Sequence, residues 1–122
     1  MCNYLRMHAD NDASGVCQRY DLAAEVFGML ADATRVRIIV ALRGGELPVG
    51  ELAERVGKSP AAASQHLAKL RLARMVLTRH EGTKVFYRLA DDHASQLVAD
   101  AVHQAEHTLG IAPQHAEDAS DA

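Results

Sequence analysis

Four of the seven histidines fall late in the chain, at His93, His103, His107 and His115. The first three lie in a stretch, Asp91 to His107, where Leu97, Val98, Ala101, Val102 and Ala105 recur at helical spacing. At about 100° per residue, His93, Asp100, His103 and His107 fall on one stripe, with Gln96 and Gln104 beside them. Imidazoles next to a carboxylate suit a borderline transition ion such as zinc, nickel or cobalt. The plainer alternative is an ordinary wet helix face.

A second group lies upstream. From Ser59 to Leu72 the chain reads as a helix with Ser59 as N-cap and Pro60 at its first position. Ala63, Leu67 and Leu70 would face a core. Gln65 and Lys69 point the other way, with Ser64 and His66 on the flanks and the small Ala61 and Ala62 on the outer surface. Glutamine can pair with adenine through two hydrogen bonds, and serine can meet several base edges. Lys69 is placed to meet phosphate.

These residues need elements to hold them. Leu22, Val26, Met29 and Leu30 mark a first amphipathic helix. Asp32 or Thr34 could cap a second, through Val36, Ile38, Ile39, Val40 and Leu42, which stops at Gly44-Gly45 and should be central to the core. Leu47-Pro48 opens a short third helix, Val49 to Val56, ended by Gly57. The turn Gly57-Lys58-Ser59 into the fourth helix fits helix-turn-helix spacing. Val76–His80 and Val85–Leu89 read as strands of a hairpin around Glu81-Gly82-Thr83-Lys84. Arg79, His80 and Lys84 lie near its tip. A hairpin placed there is a wing, and the histidine helix follows it. The expected fold is mainly α with a small β-hairpin, a dimeric winged helix-turn-helix in the order α-α-α-α-β-β-α. Residues 1–18 are expected to be a flexible leader, 19–109 the folded domain and 110–122 a flexible acidic tail.

The 122 residues suggest one domain, and 48% of them are apolar. No apolar run approaches the roughly 18 residues that span a bilayer, so no membrane partner is expected. No basic-then-apolar secretion signal opens the chain, and a cytoplasmic location is the default expectation. Cys2 and Cys17 are the only cysteines. Without C-x-x-C spacing, they are expected to be free thiols with a neutral or structural role.

The net charge of −3 hides a segregated pattern. Arg55, Lys58, Lys69, Arg71, Arg74, Arg79, Lys84 and Arg88 are opposed only by Glu81, whereas the chain from Asp91 onward has acids and no Lys or Arg. The basic block suits phosphates and the acidic one cations. The turn, hairpin and local charge together point to double-stranded DNA. A single module makes few base contacts, so useful affinity calls for a homodimer on a two-fold operator.

Glu25-Val26-Phe27, Leu30-Ala31-Asp32-Ala33-Thr34-Arg35, Val49-Gly50-Glu51-Leu52-Ala53, Ser64 to Arg71, and Gly82 to Tyr87 together resemble the ArsR/SmtB family of metal-responsive winged-helix repressors. The likeness runs from about Asp21 to His107. It implies a homodimer that represses an efflux or resistance operon and releases its DNA when metal binds, and it implies no enzyme activity. From the helix face and the wing tip, the expected DNA-contacting set is Ser59, Ala62, Ser64, Gln65, His66, Lys69, Arg79 and Lys84.

The family's arsenic- and cadmium/lead-type site carries C-x-C at the start of the third helix. Here Pro48 and Gly50 stand at those positions, and neither side chain can bind metal. The zinc- and nickel/cobalt-type site uses the last helix. Asp91, His93 and His107 match its spacing, while Gln104 stands where an intermediate histidine is usual and His103 lies one residue early. With Glu106 and His115, the ending looks more like the nickel/cobalt-sensing members. The expected ligand set is Asp91, His93, His103, Glu106, His107 and His115, and the expected ion nickel or cobalt, or else zinc. His93 and His107 stand about 21 Å apart along a helix, so one chain cannot close a site around both. An antiparallel pair of such helices could, although His103 and His107 could also chelate within one chain.

Other readings are a metal-independent or thiol-responsive repressor acting through Cys2 and Cys17, a metal-storage protein without DNA contact, and a histidine-dependent metallohydrolase. The last lacks a phosphate loop and an evident deep pocket.

Overall fold

The computed structural model describes residues 11–111. The described elements run α1 (Asn11–Leu30), α2 (Ala33–Leu42), β1 (Leu47–Pro48), α3 (Val49–Val56), α4 (Pro60–Leu72), β2 (Val76–Glu81), β3 (Lys84–Leu89) and α5 (His93–Leu109). This is the expected winged helix-turn-helix with one addition. Leu47 and Pro48, which lead into α3, also form a short strand that pairs antiparallel with β3, Leu47 against Tyr87 and Pro48 against Phe86, while α3 keeps its expected bounds of Val49–Val56. The wing is therefore a three-stranded sheet in the order β1-β3-β2. A two-residue strand is too short to show alternation, so the sequence held no periodic signal for it.

Two other expectations change. α1 begins at Asn11, so the helix takes in residues 11–18 of the expected leader. Cys17 is buried on α1 and disulfide-bonded, so it is not the free thiol expected from the sequence. Cys2 lies outside the described residues.

The core forms where the apolar faces meet. Ile38 and Ile39 of α2, Leu52 of α3, Leu67 and Leu70 of α4 and Val76 of β2 are fully buried. As its apolar character predicts, α2 sits centrally and packs against α1, α3, α4, α5 and β3. Asp32 starts it: the carboxylate accepts the Arg35 N–H at 3.0 Å, satisfying one of the orphan donors of the first turn. α4 leaves through Arg74, a non-glycine residue in the left-handed region at φ 62°. The Met75 N–H there returns to the Leu70 carbonyl at 2.9 Å, which closes α4 and aims the chain into β2.

Candidate DNA-reading face and metal-ligand positions

The helix-turn-helix angle is set by three residues. Gly57 takes the left-handed conformation at φ 71°, its N–H reaching the Ala53 and Glu54 carbonyls, and the Lys58 N–H returns to Ala53 at 3.0 Å. Ser59 then caps α4 by accepting the Ala62 N–H at 3.1 Å, with Pro60 behind it. Ala63, Leu67 and Leu70 turn inward. Ser64, Gln65 and Lys69 are exposed on the opposite face, Ser59 stands exposed at the start of the helix, and Ala62 is half-buried.

His66 belongs to a different environment. Its ring leans back toward the α1–α2 corner, where Nδ1 lies 3.5 Å from both the Asp32 carboxylate and the Arg35 guanidinium. The Arg35 Nε donates to the Met29 carbonyl at the end of α1, at 2.7 Å. The hydrogen bond from the Arg35 N–H holds the Asp32 carboxyl below its ordinary range against the opposing effect of burial, with the nearby His66 adding to the lowering. A flank residue of the reading helix is thus turned toward the body of the domain, not outward with Gln65.

In the wing, Glu81 pairs with Lys84 across a two-residue turn whose first central residue, Gly82, has φ 63°. Glycine favours that place in a hairpin. Lys84 is exposed at the tip and His80 beside it on β2. Arg79 reaches elsewhere. Its Nε and Nη2 donate to the Glu46 carboxylate at 3.0 and 2.7 Å, its Nη1 donates to Glu81 at 2.8 Å, and the guanidinium lies 4.7 Å from the centre of the Phe86 ring. The hydrogen bonds from Arg79 hold the Glu46 carboxyl below its ordinary range, and the two carboxylates raise the Arg79 guanidinium. Glu46 was missed in the sequence because its partner lies 33 positions away.

On α5, Ala94 and Val98 are buried against the core, and His93, Asp100, His103 and His107 are exposed on the other side. Asp91 accepts the His93 N–H at 2.9 Å and starts the helix. Gln96 donates to Asp100 at 3.3 Å, and Gln104 to Thr108 at 2.8 Å. Asp91 and His93 stand at one end of α5; His103, Glu106 and His107 stand at the other, with Glu106 half-buried. Among the described residues, no three His, Cys, Asp or Glu side chains converge within one chain. His115 lies outside the described residues. At the C-x-C positions, Pro48 belongs to β1 and Gly50 to α3, and neither offers a donor.

Apolar surface remains open along α1 and α5. Phe27, Leu30, Val36, Leu97 and Val102 help to line a cavity of about 280 Å³ between α1, α2 and α5. Tyr20, Leu22, Phe27, Leu72 and Leu109 are each more than half exposed. No helix among the described residues is long and apolar enough to cross a membrane.

Residues 32–78 match the model of the bacterial regulatory protein, arsR family. The chain is 56% identical over 94 residues to the HTH-type transcriptional regulator KmtR of Mycobacterium tuberculosis, covering 77% of this chain and 72% of that one. It is 37% identical over 93 residues to the HTH-type transcriptional regulator NmtR of the same organism, covering 75% and 78%. Among solved structures it is similar to the homodimeric winged helix-turn-helix DNA-binding domain of a possible ArsR-family regulator from Mycobacterium bovis, with TM-score 0.68, 31% identity and coverage of 82% and 92%.

Proposed function

The chain belongs to the ArsR family of bacterial regulators, DNA-binding proteins and not enzymes, and from that premise we propose that it is a metal-released operator repressor acting as a homodimer. One observation carries the DNA half of this reading. A helix held by the Gly57 turn and the Ser59 cap presents Ser64, Gln65 and Lys69 outward, next to an exposed wing-tip Lys84. Gln65 and Ser64 read base edges in the major groove, and Ala62 keeps the surface low enough for close approach. Lys69 and Lys84 meet phosphates and fix register. His66 supports the placement of the helix from behind.

The exposed apolar surface of α1 and α5 supports the homodimer. A patch of this kind rarely stays in water on a small domain, and covering it with a second copy brings two reading helices onto one duplex.

The spacing of the α5 donors favours a divalent transition-ion site shared by a pair of chains. Asp91 and His93 of one α5 would hold it with His103, Glu106 and His107 of the other, and His115 would supplement that set. Imidazole and carboxylate donors favour nickel, cobalt or zinc over soft ions, and Pro48 and Gly50 leave no thiolate alternative at α3. When bound, the ion supplies positive charge and fixed coordination directions at the subunit boundary. The two α5 helices would then be held in one mutual orientation, and the reading heads attached to them would no longer match successive major grooves. The ion must favour the DNA-free arrangement by a differential affinity of about 1–3 kcal/mol or more.

The deciding experiment measures binding to a duplex from upstream of the protein's own coding sequence, with and without Ni²⁺, Co²⁺ and Zn²⁺, for wild type, His93→Ala and His107→Ala. Release by at least one ion in wild type only is the expected result. Equal binding under all conditions removes metal sensing and leaves the repressor. A second reading, thiol-controlled repression, draws on the disulfide at Cys17. It requires that reduction, or Cys17→Ser, change DNA affinity without metal.

A further inference from the structure

We propose that Arg79 is the positioning residue of the wing, strapping the three-stranded sheet to the loop before β1, and that it does not touch DNA phosphate. The inference rests on the DNA-binding reading above. In the sheet, Arg79 of β2 stands opposite Phe86 of β3, and Phe86 stands opposite Pro48 of β1. Glu46 lies two residues before Pro48, immediately before the β1 edge strand on the far side of β3. The Arg79 side chain therefore crosses β3 over the Phe86 ring and grips Glu46 on the other side.

Most exposed ion pairs contribute little, because holding two long side chains costs entropy and water screens the charges. This one has the features that change that balance. The Glu46 contact is a two-pronged fork, the Glu81 contact uses a third guanidinium nitrogen, and the ring of Phe86 supports the guanidinium plane. The Glu46 side chain is 28% exposed and that of Arg79 46%. Arg79 carries one positive charge between two carboxylates, so the cluster as a whole presents no net positive charge to a phosphate. Rotating Arg79 toward DNA would strand both acids beside the polyanion. Lys84 at the tip enters no ion pair among the described residues and remains available.

The two roles for Arg79 make opposite predictions for Glu46. If Arg79 met phosphate, Glu46→Gln would free it and strengthen binding. If Arg79 positions the wing, Glu46→Gln loosens the strap and weakens binding. The experiment titrates wild type, Glu46→Gln, Arg79→Gln and Lys84→Gln against a fluorescent duplex from upstream of the coding sequence at several salt concentrations. Hydrogen exchange of the wing amides is measured on the same proteins without DNA. Glu46→Gln and Arg79→Gln are expected to weaken binding by similar factors, about two- to ten-fold, with the salt slope unchanged. Lys84→Gln is expected to lower the slope by about 1.8 for a dimer, about 0.9 for each lost phosphate contact. Both strap variants should speed exchange of the β2–β3 amides, and Lys84→Gln should not.

A slope lowered by Arg79→Gln, or binding as tight or tighter with Glu46→Gln, overturns the proposal. Unchanged wing exchange in both strap variants overturns it as well. Failure of the wild type to bind the duplex strikes the DNA-binding reading instead, and the exchange data still decide whether the strap holds the wing.

Discussion

If the ligands at the two ends of α5 meet across a subunit boundary, two defective chains should repair one another. His93 and His107 lie 14 positions apart, or about 21 Å along the helix, whereas metal–nitrogen bonds are about 2 Å. Each of the two symmetric sites then takes His93 from one chain and His107 from the other. A dimer of His93→Ala with His107→Ala has one site lacking both histidines and one site fully intact. Random exchange of an equal mixture makes about half of the dimers hybrid, each with one site of two, so the mixture should recover about one quarter of wild-type metal. Each variant alone should recover none of the tight sites. The assay is Co²⁺ titration followed by its visible absorbance, with equilibrium dialysis for stoichiometry, after the chains are unfolded and refolded together. Chelation by His103 and His107 within one chain makes a different forecast: His93→Ala alone keeps full binding, and mixing adds nothing to what the parents carry. Either of those results refutes the cross-subunit reasoning.

Three further outcomes concern the frame. Asp32→Ala removes the cap of α2 and should destabilise the protein by about 1 kcal/mol, lowering Tm by about 4–8 °C, while Asp32→Asn keeps the cap and most of the stability; equal losses in calorimetry would count against a capping role. Arg74→Gly relieves a left-handed residue that costs about 1–2 kcal/mol and, after the extra freedom glycine gains in the unfolded chain, should stabilise by about 0.5–1 kcal/mol in urea unfolding; a lower midpoint would show that the Arg74 side chain makes up for its backbone. The Glu46 carboxyl titrates below its ordinary value of 4.5, so its stabilising effect is full above that pH and disappears as pH falls through the lowered value. Wild type should therefore exceed Glu46→Gln in stability at pH 7 and lose that advantage progressively as pH falls below 4.5; a constant difference would mean the charge on Glu46 is irrelevant.

The local signals in the sequence proved reliable where one residue does one job nearby. Ser59 and Pro60 announced α4, Gly57 announced the turn, and the Ala63, Leu67, Leu70 spacing identified the buried side of the helix. The family likeness was legible for the same reason, since its motifs follow these local rules. Non-local partnerships were not visible. β1 is too short to carry a period, and it exists only because β3 offers it an edge. His66 has the same local character as Gln65, yet Asp32 and Arg35 lie close to its ring, and only the packed fold brings them there. Arg79 looked like one of several wing cations until Glu46, in a loop without periodicity, became its neighbour. On α5 the stripe was readable, while the proposed completion of the ligand set calls for a second chain, which no single-chain signal encodes.

The pairing of β1 with β3 bears on how such a protein can be switched. Leu47 and Pro48 lead directly into α3, and their strand partners Tyr87 and Phe86 belong to the wing. Backbone ladders thus join the hairpin to the helix pair it flanks, and a tight bend at Arg74 joins it to α4. With these fastenings the wing has no hinge of its own about which to fold away. Any signal has to swing each half of the dimer as one block, which makes the number of base pairs between the two half-sites a control setting. Inserting about five base pairs there, half a helical turn, should disable the operator although every base either half touches is retained.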